Sequence, residues 1–257
     1  MHRKPVLFGA LGILAGVGLA AGAVGADGGR PEPTVFAAAG PDNASIQSNV
    51  DGYRNALGAL NTGPGSKGSG RRQIGWDGVP EAASSPNPFP GDFFNTVVPN
   101  GLVTTSSTDE FEVSANEGAG FEFGNLNPDY PDTFSAFSPR KLFTGIRAQR
   151  TDVHFFEPGG DEPAGSSGFG VVFTDVDRQG SATVEFFDAH GKRLYKAAAP
   201  ASPGDASVSF VGVKFDCSNC VANVRIRSGD EQVGKDDAPG DDVVVMDDFI
   251  YGEPIPF

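Results

Sequence analysis

The hydrophobic positions of this 257-residue chain repeat with two different periods. In residues 44–60 the apolar side chains recur every three or four positions, which is the spacing of one face of an α-helix. The residues of this stripe are Ile46, Val50, Tyr53 and Leu57. From residue 73 onward the period changes to two, most plainly in residues 221–227, where apolar and polar side chains alternate. The pattern therefore predicts one short N-terminal helix followed by many β-strands.

The predicted strands are short and are separated by turns rich in Gly, Pro, Asp and Asn. They cover residues 102–105, 111–114, 121–123, 141–143, 151–156, 168–175, 181–188, 208–215, 221–227 and 243–251. No segment with the helical period lies between them, which excludes parallel βαβ units. The predicted fold class is therefore all-β, with two antiparallel sheets packed as a jelly-roll-like sandwich.

The N-terminal residues predict export. Residues 1–26 combine a positively charged start, a long apolar run and small residues before Asp27, which is the pattern of a secretory signal peptide. The alternative is a retained membrane anchor, but the Gly and Ala content of the run favours cleavage. We therefore expect a secreted protein with no membrane span in the mature chain. Residues 27–43 are expected to form a flexible lead, 61–72 a Gly/Ser linker and 73–257 the sandwich domain.

Composition and charge narrow the classes of function. The chain has 33 acidic against 19 basic residues, and its formal net charge is −14. A protein that binds nucleic acid through the phosphates is basic at least locally, so we expect no nucleic-acid partner. The 21 Phe residues are expected mainly to fill the space between the two sheets.

Two acidic segments are candidate metal sites. Asp175 and Asp177 stand at alternate positions ahead of Gly180, and a tight loop of oxygen donors suits Ca²⁺. Asp247 and Asp248 interrupt an apolar strand, where simple alternation turns one carboxylate toward the core and requires a cation or strong hydrogen bonds. We expect these four residues to bind a structural Ca²⁺. The alternatives are a solvated hairpin turn for the first pair, and pairing with Arg or a strand end in water for the second.

Cys217 and Cys220 are the only cysteines. In an exported chain we expect them to form a disulfide that closes the turn between two strands. Free thiols and a metal or redox pair are the alternatives, although the mature chain offers too few His and Cys residues for a zinc site.

Signals of catalysis are weak. The G-x-S-x-G motif of serine hydrolases is absent from the sequence. Glu185, Glu122 and Glu112 lie in strand-like segments and are the first candidates for a carboxylate pair that hydrolyses glycosides. Glu185 and Trp76 are also the candidate ligand-binding residues, with an anchor in the core as the alternative for Trp76.

Several short segments resemble a group of secreted bacterial β-sandwich proteins. The segments are RRQIGWDG (71–78), FGN (123–125), GFGVVFTDVD (168–177), EFFD (185–188) and MDDFIYG (246–252). The last segment is similar to the final strand of exported jelly-roll modules that are sorted by exosortase, although we expect no C-terminal anchor of that kind in this protein. The resemblance covers most of residues 44–257. It implies a sandwich fold and a structural Ca²⁺, and it implies no catalytic residue.

These features predict a secreted, non-catalytic β-sandwich module that binds a glycan or associates with the matrix at the cell surface and is stabilised by Ca²⁺. The alternative is a secreted glycoside hydrolase or polysaccharide lyase that uses carboxylates on the concave face of the sandwich. A third hypothesis is a structural component of the cell envelope.

Overall fold

The computed structural model describes residues 31–235, 237–238 and 240–257, so the predicted signal peptide (1–26) lies outside the described residues. The strands of the described part are β1 (Pro33–Gly40), β2 (Arg71–Ile74), β3 (Leu102–Ser106), β4 (Phe111–Val113), β5 (Phe143–Gly145), β6 (Arg150–Phe155), β7 (Ala164–Gly165), β8 (Gly168–Thr174), β9 (Thr183–Phe187), β10 (Arg193–Ala198), β11 (Val208–Phe215), β12 (Asn223–Arg227), β13 (Val245–Gly252) and β14 (Ile255–Pro256). The helices are α1 (Asn43–Leu57), α2 (Phe93–Thr96) and α3 (Tyr130–Thr133).

Most of the strands form two antiparallel sheets. The first is a seven-stranded sheet in the order β1-β11-β8-β13-β5-β4, with β2 paired to β13. The second is a five-stranded sheet in the order β10-β9-β12-β6-β3. Strands β7 and β14 pair separately. This architecture confirms the predicted all-β, two-sheet sandwich with a small helix.

The main core lies between the two sheets, because each strand turns alternate apolar side chains inward. Phe169, Val171 and Phe173 of β8 meet Val184 and Phe186 of β9 in this layer, and all five are at most 1% exposed. Burying a side chain of this size contributes roughly 1.5–3 kcal/mol. The layer therefore supplies most of the apolar contact that holds the sheets together.

Helix α1 packs on the outer face of the seven-stranded sheet. Asp42 caps the helix by accepting hydrogen bonds from Ser45, and Gly58 ends it. The predicted apolar stripe is buried against the sheet. The sheet residues beneath it are Val172, Val208, Phe210 and Ile250. With 15 residues α1 is the longest described helix, and none of the helices in the described ranges has the length and apolar character needed to cross a membrane.

Residues 33–40, expected to be part of a flexible lead, instead form the edge strand β1. Each of its residues has a partner in β11, from Pro33 opposite Phe215 to Gly40 opposite Val208. The segment PTVFAAAG shows no clear alternation of apolar and polar residues. Backbone hydrogen bonds to β11 therefore specify this strand more than its side chains do.

The expected Gly/Ser linker, residues 61–72, is fixed to the sandwich by Arg72. The Arg72 guanidinium donates to both carboxylate oxygens of Glu253 at 2.8 and 3.0 Å, and both side chains are at most 1% exposed. It also donates to the carbonyls of Gly63, Gly65 and Pro99. A buried charge needs such partners, and here they hold the loop against the domain.

Residues 121–123, predicted as a strand, form a turn instead. The 3₁₀-helix Gly118–Gly120 comes directly before them, and Glu122 and Phe123 have φ values of 43° and 64°. Residues in this left-handed region cannot continue a pleated strand. The two Phe residues on either side of Glu122 match the alternation of a strand, but the strand predicted from them is wrong.

Strand β13 runs through the middle of the seven-stranded sheet and is interrupted by a bulge at Asp247 and Asp248. Its pairing with β8 shifts register between Met246 and Phe249. Met246 and Phe249 both belong to the core between the sheets, so two residues, instead of one, separate them. Both carboxylates consequently lie on the outer side of the sheet, beneath α1. The expectation that one of them faces the main core is therefore wrong.

The disulfide between Cys217 and Cys220 is confirmed. It closes the connection between β11 and β12, and both cysteines pack against the main core. A loop this short loses little chain entropy on closure, so its contribution to stability is at the low end of the usual range.

Candidate functional site

The outer face of the five-stranded sheet carries three rows of mostly polar side chains. Residues opposite one another in neighbouring strands point to the same side of a sheet, so the strand pairing fixes the rows. They are Arg193, Phe187, Asn223 and His154 in the first row, Lys196, Glu185, Arg225 and Asp152 in the second, and Thr183, Arg227 and Arg150 in the third. We call this surface the polar face.

Alternation within the strands creates the polar face. In β12, Val224 and Ile226 are buried in the main core, whereas Asn223 and Arg225 are half-buried and Arg227 is exposed on the outer side. Strands β6 and β9 alternate in the same way. The polar face is therefore a direct product of the period-two pattern.

Cross-strand ion pairs fix the second row. Arg225 Nε donates to Asp152 Oδ1 at 2.8 Å. Glu185 accepts from Lys196 Nζ at 3.0 Å and from an Arg193 nitrogen at 3.1 Å. Positive and negative side chains alternate across four strands in this row, so its polar atoms are held in place in the free protein.

The Glu185 carboxylate is ionised at neutral pH. Burial by itself raises the pKa of Glu185, but hydrogen bonds from Lys196 and Arg193 outweigh burial and hold the pKa below its usual value. A general acid must hold its proton near neutral pH. Glu185 therefore suits a fixed polar contact better than acid catalysis.

A hollow of about 420 Å³ lies beside the first row. It is lined by His154, Phe187, Asn223 and Arg225, and the Arg225 guanidinium lies 5.2 Å from the centre of the Phe187 ring. The two ring nitrogens of His154 contact Thr105 Oγ1 at 3.1 Å and the Asn223 amide at 3.3 Å. Burial lowers the pKa of His154, so the imidazole is neutral at pH 7. The hollow thus combines an aromatic ring with neutral and charged hydrogen-bonding groups.

The third row contains two neighbouring arginines. Arg150 and Arg227 are direct partners in the ladder between β6 and β12. Arg150 donates to Asp152 at 2.7 Å, but the Arg227 side chain has no ion pair or hydrogen bond with any residue in the described part of the chain. A second hollow, of about 170 Å³, lies at this row and is also lined by Thr183 and Lys196.

The predicted metal ligands Asp175 and Asp177 follow β8, where they meet other acids. Asp177 Oδ1 accepts the Gly204 amide at 2.7 Å, and Asp242 accepts the Asp177 amide at 3.2 Å. Asp175 is 6% exposed, and its Oδ1 has no hydrogen-bond partner among the described residues. Burial, followed by repulsion from Asp177, Asp205 and Asp242, raises the pKa of Asp175 to about 8.

Asp247 and Asp248 attach α1 and the chain near residue 137 to β13. Asp247 Oδ2 accepts the backbone amides of Phe137 at 2.6 Å and Ser138 at 3.0 Å. Asp248 Oδ2 accepts from Arg54 of α1 at 3.0 Å. Burial and the neighbouring Asp248 raise the pKa of Asp247. Pairing with Arg, the alternative to a metal ion at this position, is thus present.

The four predicted ligands do not fit a single calcium site. The first pair faces other acids at the end of β8, and the second pair is hydrogen-bonded beneath α1. Across residues 31–235, 237–238 and 240–257, no three His, Cys, Asp or Glu side chains are grouped so that they could hold a metal ion. Because Ca²⁺ takes six to eight oxygens in one place, the structure gives no shared site for these four residues, and calcium stays a prediction.

Trp76, a predicted ligand-binding residue, belongs to the core. It is 1% exposed, and its ring stacks on Phe143 with ring centres 4.1 Å apart. Its Nε1 donates to the carbonyl of Asp247 at 3.1 Å, within the bulge of β13. The ring therefore offers no platform to a ligand, and the expectation of an exposed site aromatic is corrected.

The other candidate carboxylates differ in environment. Glu112 lies in β4 of the seven-stranded sheet and accepts hydrogen bonds from Ser85 and Asn125. Glu122 is 8% exposed, and burial raises its pKa to about 7. Glu122 therefore holds a proton near neutral pH, whereas Glu185 does not.

The sequence alone identifies little of the polar face. Only Glu185 is a predicted ligand residue, whereas Asp152, Arg225 and Arg227 are recognisable in the sequence as the polar half of alternating strands. Their convergence depends on the register of β12 with both β6 and β9. Besides this alternation, the sequence signals the polar face by the concentration of Arg in NVRIR.

No model of a known protein family matches this sequence, and no curated protein matches it. A functional assignment therefore rests on the geometry of the polar face.

Proposed function

We propose that the protein is a secreted, non-catalytic module that binds a glycan chain across the polar face at the cell surface. The observation that carries this proposal is the fixed arrangement of outward polar side chains beside a hollow of about 420 Å³. Export is supported by the signal-peptide pattern of residues 1–26 and by the disulfide, which is typical of oxidising compartments.

The polar face has the groups that recognise a sugar chain. Hydroxyls need donors and acceptors at regular spacing. Asn223 and His154 lie opposite each other on neighbouring strands, about 4.8 Å apart, and Arg225 follows Asn223 by two residues in β12, about 6.8 Å away. Phe187 adds an apolar surface on which the C–H face of a sugar ring can pack. Because an ion pair already holds Arg225 and hydrogen bonds hold Asn223 and His154, binding loses little side-chain entropy.

Glycan binding is tested by affinity electrophoresis and calorimetry on a panel of neutral and acidic polysaccharides. We expect binding to at least one polymer, and a loss of about tenfold or more for Arg225→Ala and for Asn223→Ala, because each removes hydrogen bonds to the ligand. The matched control is Arg140→Ala, since Arg140 is exposed in the segment next to Asp247, on the seven-stranded sheet. A panel in which no polymer binds would contradict the proposal.

Glu122 favours a second candidate function, a carboxylate-dependent glycoside hydrolase or polysaccharide lyase. Its raised pKa, about 7, suits a general acid, whereas Glu185 is ionised. The test is product release from the same polysaccharide panel by the wild-type protein and by Glu122→Gln. Release that is lost in the variant supports an enzyme, and equal release from both proteins argues against this role for Glu122.

A further inference from the structure

The polar face has the opposite charge to the rest of the protein. Its basic residues outnumber its acidic residues by five to two, on a chain whose formal net charge is −14. The basic residues are Arg150, Arg193, Lys196, Arg225 and Arg227, and the acidic ones are Asp152 and Glu185. A local positive surface of this kind attracts anions that the remaining surface repels.

We infer that the polar face binds an acidic polysaccharide, with carboxylate or sulfate groups of the sugar chain bound by the third row. This inference rests on the proposed glycan-binding function and specifies the class of glycan. It follows from the arginines, whose planar donors match the two oxygens of a carboxylate.

Arg227 is the residue that most directly indicates an anionic ligand. It is exposed and lies directly opposite Arg150 in the ladder, although like charges in this position destabilise a sheet. The two nearby carboxylates are already bound, Asp152 by Arg150 and Arg225, and Glu185 by Lys196 and Arg193. The Arg227 donors are therefore available, and an anion in the hollow of about 170 Å³ would offset the repulsion between the two arginines.

The neighbouring rows favour a sugar chain over another polyanion. Beyond the second row, the first row presents the Phe187 ring, the Asn223 amide and a neutral His154. The apolar ring face and the hydroxyl groups of a sugar can contact these side chains, whereas a polyanion without sugar rings would contact only the charged residues. A polyuronate chain that lies along β12, from Asn223 in the first row to Arg227 in the third, would present both kinds of group at once.

Two polymers with the same backbone test the inference. Polygalacturonate carries a carboxylate on each sugar, and its fully methyl-esterified form does not. We expect the protein to bind polygalacturonate and to bind the ester at least about tenfold more weakly, which is the loss of one charge-assisted hydrogen bond. Binding should also weaken when the salt concentration rises from about 0.01 M to about 0.5 M.

Variants identify the surface. Arg227→Gln removes the charge and keeps the size, and we expect it to weaken polygalacturonate binding at least about tenfold. Arg227→Lys should restore part of the affinity, because it returns the charge without the planar fork. Arg140→Gln is the matched control and should bind as the wild type does. The unfolding midpoint of Arg227→Gln should be no lower than that of the wild type, since Arg227 has no partner among the described residues to lose and its charge lies opposite that of Arg150.

Each remaining outcome overturns part of the argument in a different way. Equal binding of polygalacturonate and its ester would overturn the acidic class and leave the proposed function intact. If polyglutamate or single-stranded DNA binds as tightly as polygalacturonate, the polar face recognises charge alone, and the inference that its ligand is a sugar chain is overturned. Self-association at low salt, measured by light scattering and abolished by Arg227→Gln, would identify a second copy as the occupant. Failure to bind any glycan, neutral or acidic, would overturn both proposals.

Discussion

Buried charged residues differ in whether the fold supplies partners for them. Arg72 and Glu253 form a bidentate pair, and three backbone carbonyls accept the remaining Arg72 donors. Asp175, which is almost as deeply buried, has an oxygen without a hydrogen-bond partner in the described part of the chain. We therefore expect the loss of the Glu253 charge to lower the free energy of unfolding and the loss of the Asp175 charge to raise it.

Glu253→Gln should destabilise the protein by about 3–5 kcal/mol, because it leaves the buried Arg72 charge uncompensated. Urea unfolding followed by tryptophan fluorescence measures the change, since Trp76 lies in the core. Glu110→Gln is the control: its partner Arg147 is 65% exposed, and surface pairs contribute at most about 1 kcal/mol. Equal losses in the two variants would contradict the assigned role of Arg72.

Asp175 should make the protein less stable as the pH rises. Its pKa is about 8 in the folded protein against 3.8 in an ordinary environment. Between these values the folded state binds more protons than the unfolded state, so the free energy of unfolding falls from about pH 4 to about pH 8. Asp175→Asn should flatten this fall and be more stable than the wild type at pH 8 by at least about 1 kcal/mol. Asp161→Asn, at an exposed site, should keep the wild-type slope.

The same variants test the prediction that the protein binds Ca²⁺. If the ion binds near Asp175, it satisfies the free oxygen and raises the unfolding midpoint in the wild type but not in Asp175→Asn. Differential scanning fluorimetry in Ca²⁺ and in EGTA measures both proteins, with Asp161→Asn as the control. Identical midpoints in the two conditions would refute the prediction.

At the scale of elements, α1 is held by one face of apolar residues and one ion pair. Tyr53 lies between Phe36 and Phe210, with ring centres 5.4 and 5.7 Å away, and its hydroxyl donates to the Val213 carbonyl at 3.3 Å. The helix therefore links the edge strand β1 to the sheet beneath it.

Tyr53→Ala should destabilise the protein by about 3–5 kcal/mol, the usual effect of removing a buried aromatic ring. It should also increase hydrogen exchange in β1 and α1 before the rest of the sandwich, because Tyr53 contacts both Phe36 and the sheet. Asn55→Ala, an exposed position of the same helix, is the control and should change stability by less than about 0.5 kcal/mol. Uniform exchange across all strands in Tyr53→Ala would argue against a separate role for this helix.

The sequence predicts those elements in which apolar side chains recur with a clear strand or helix period. Strand β11 coincides with the predicted residues 208–215, and α1 lies within two or three residues of its predicted bounds. Strand β1 cannot be found in this way, because its Ala-rich segment is held by backbone pairing with β11. The bulge of β13 cannot be predicted from the sequence either, since the extra residue is recognised only from the pairing of β13 with β8.

At the scale of the whole molecule, charge is distributed unevenly over the sandwich. Net charge, read from the sequence, predicts an acidic protein, whereas strand pairing collects five basic residues on one sheet face. These residues come from β6, β10 and β12, which are far apart along the chain. The candidate site could therefore not be predicted from local patterns, although each contributing strand could be recognised.

The whole sandwich should depend on β13. A chain that ends at Val244 should show no cooperative unfolding transition, because β8, β2 and β5 lose their common partner. A chain that ends at Pro254 is the control; it keeps Glu253 for Arg72 and loses only the strand that pairs with β7. Circular dichroism and urea titration measure both, and a cooperative transition in the shorter chain would contradict the central role of β13.

The position of β13 also bears on when the protein folds. Every residue of this strand is buried, and its partners lie as far back as residues 71–74. During synthesis the main core therefore cannot form until residues 245–252 have been made. Folding is then late, and it is slow because the strands that pair are far apart along the chain. A chain that emerges from the ribosome would remain extended over most of its synthesis, and a translocation channel that admits only unfolded polypeptide could accept it in that interval.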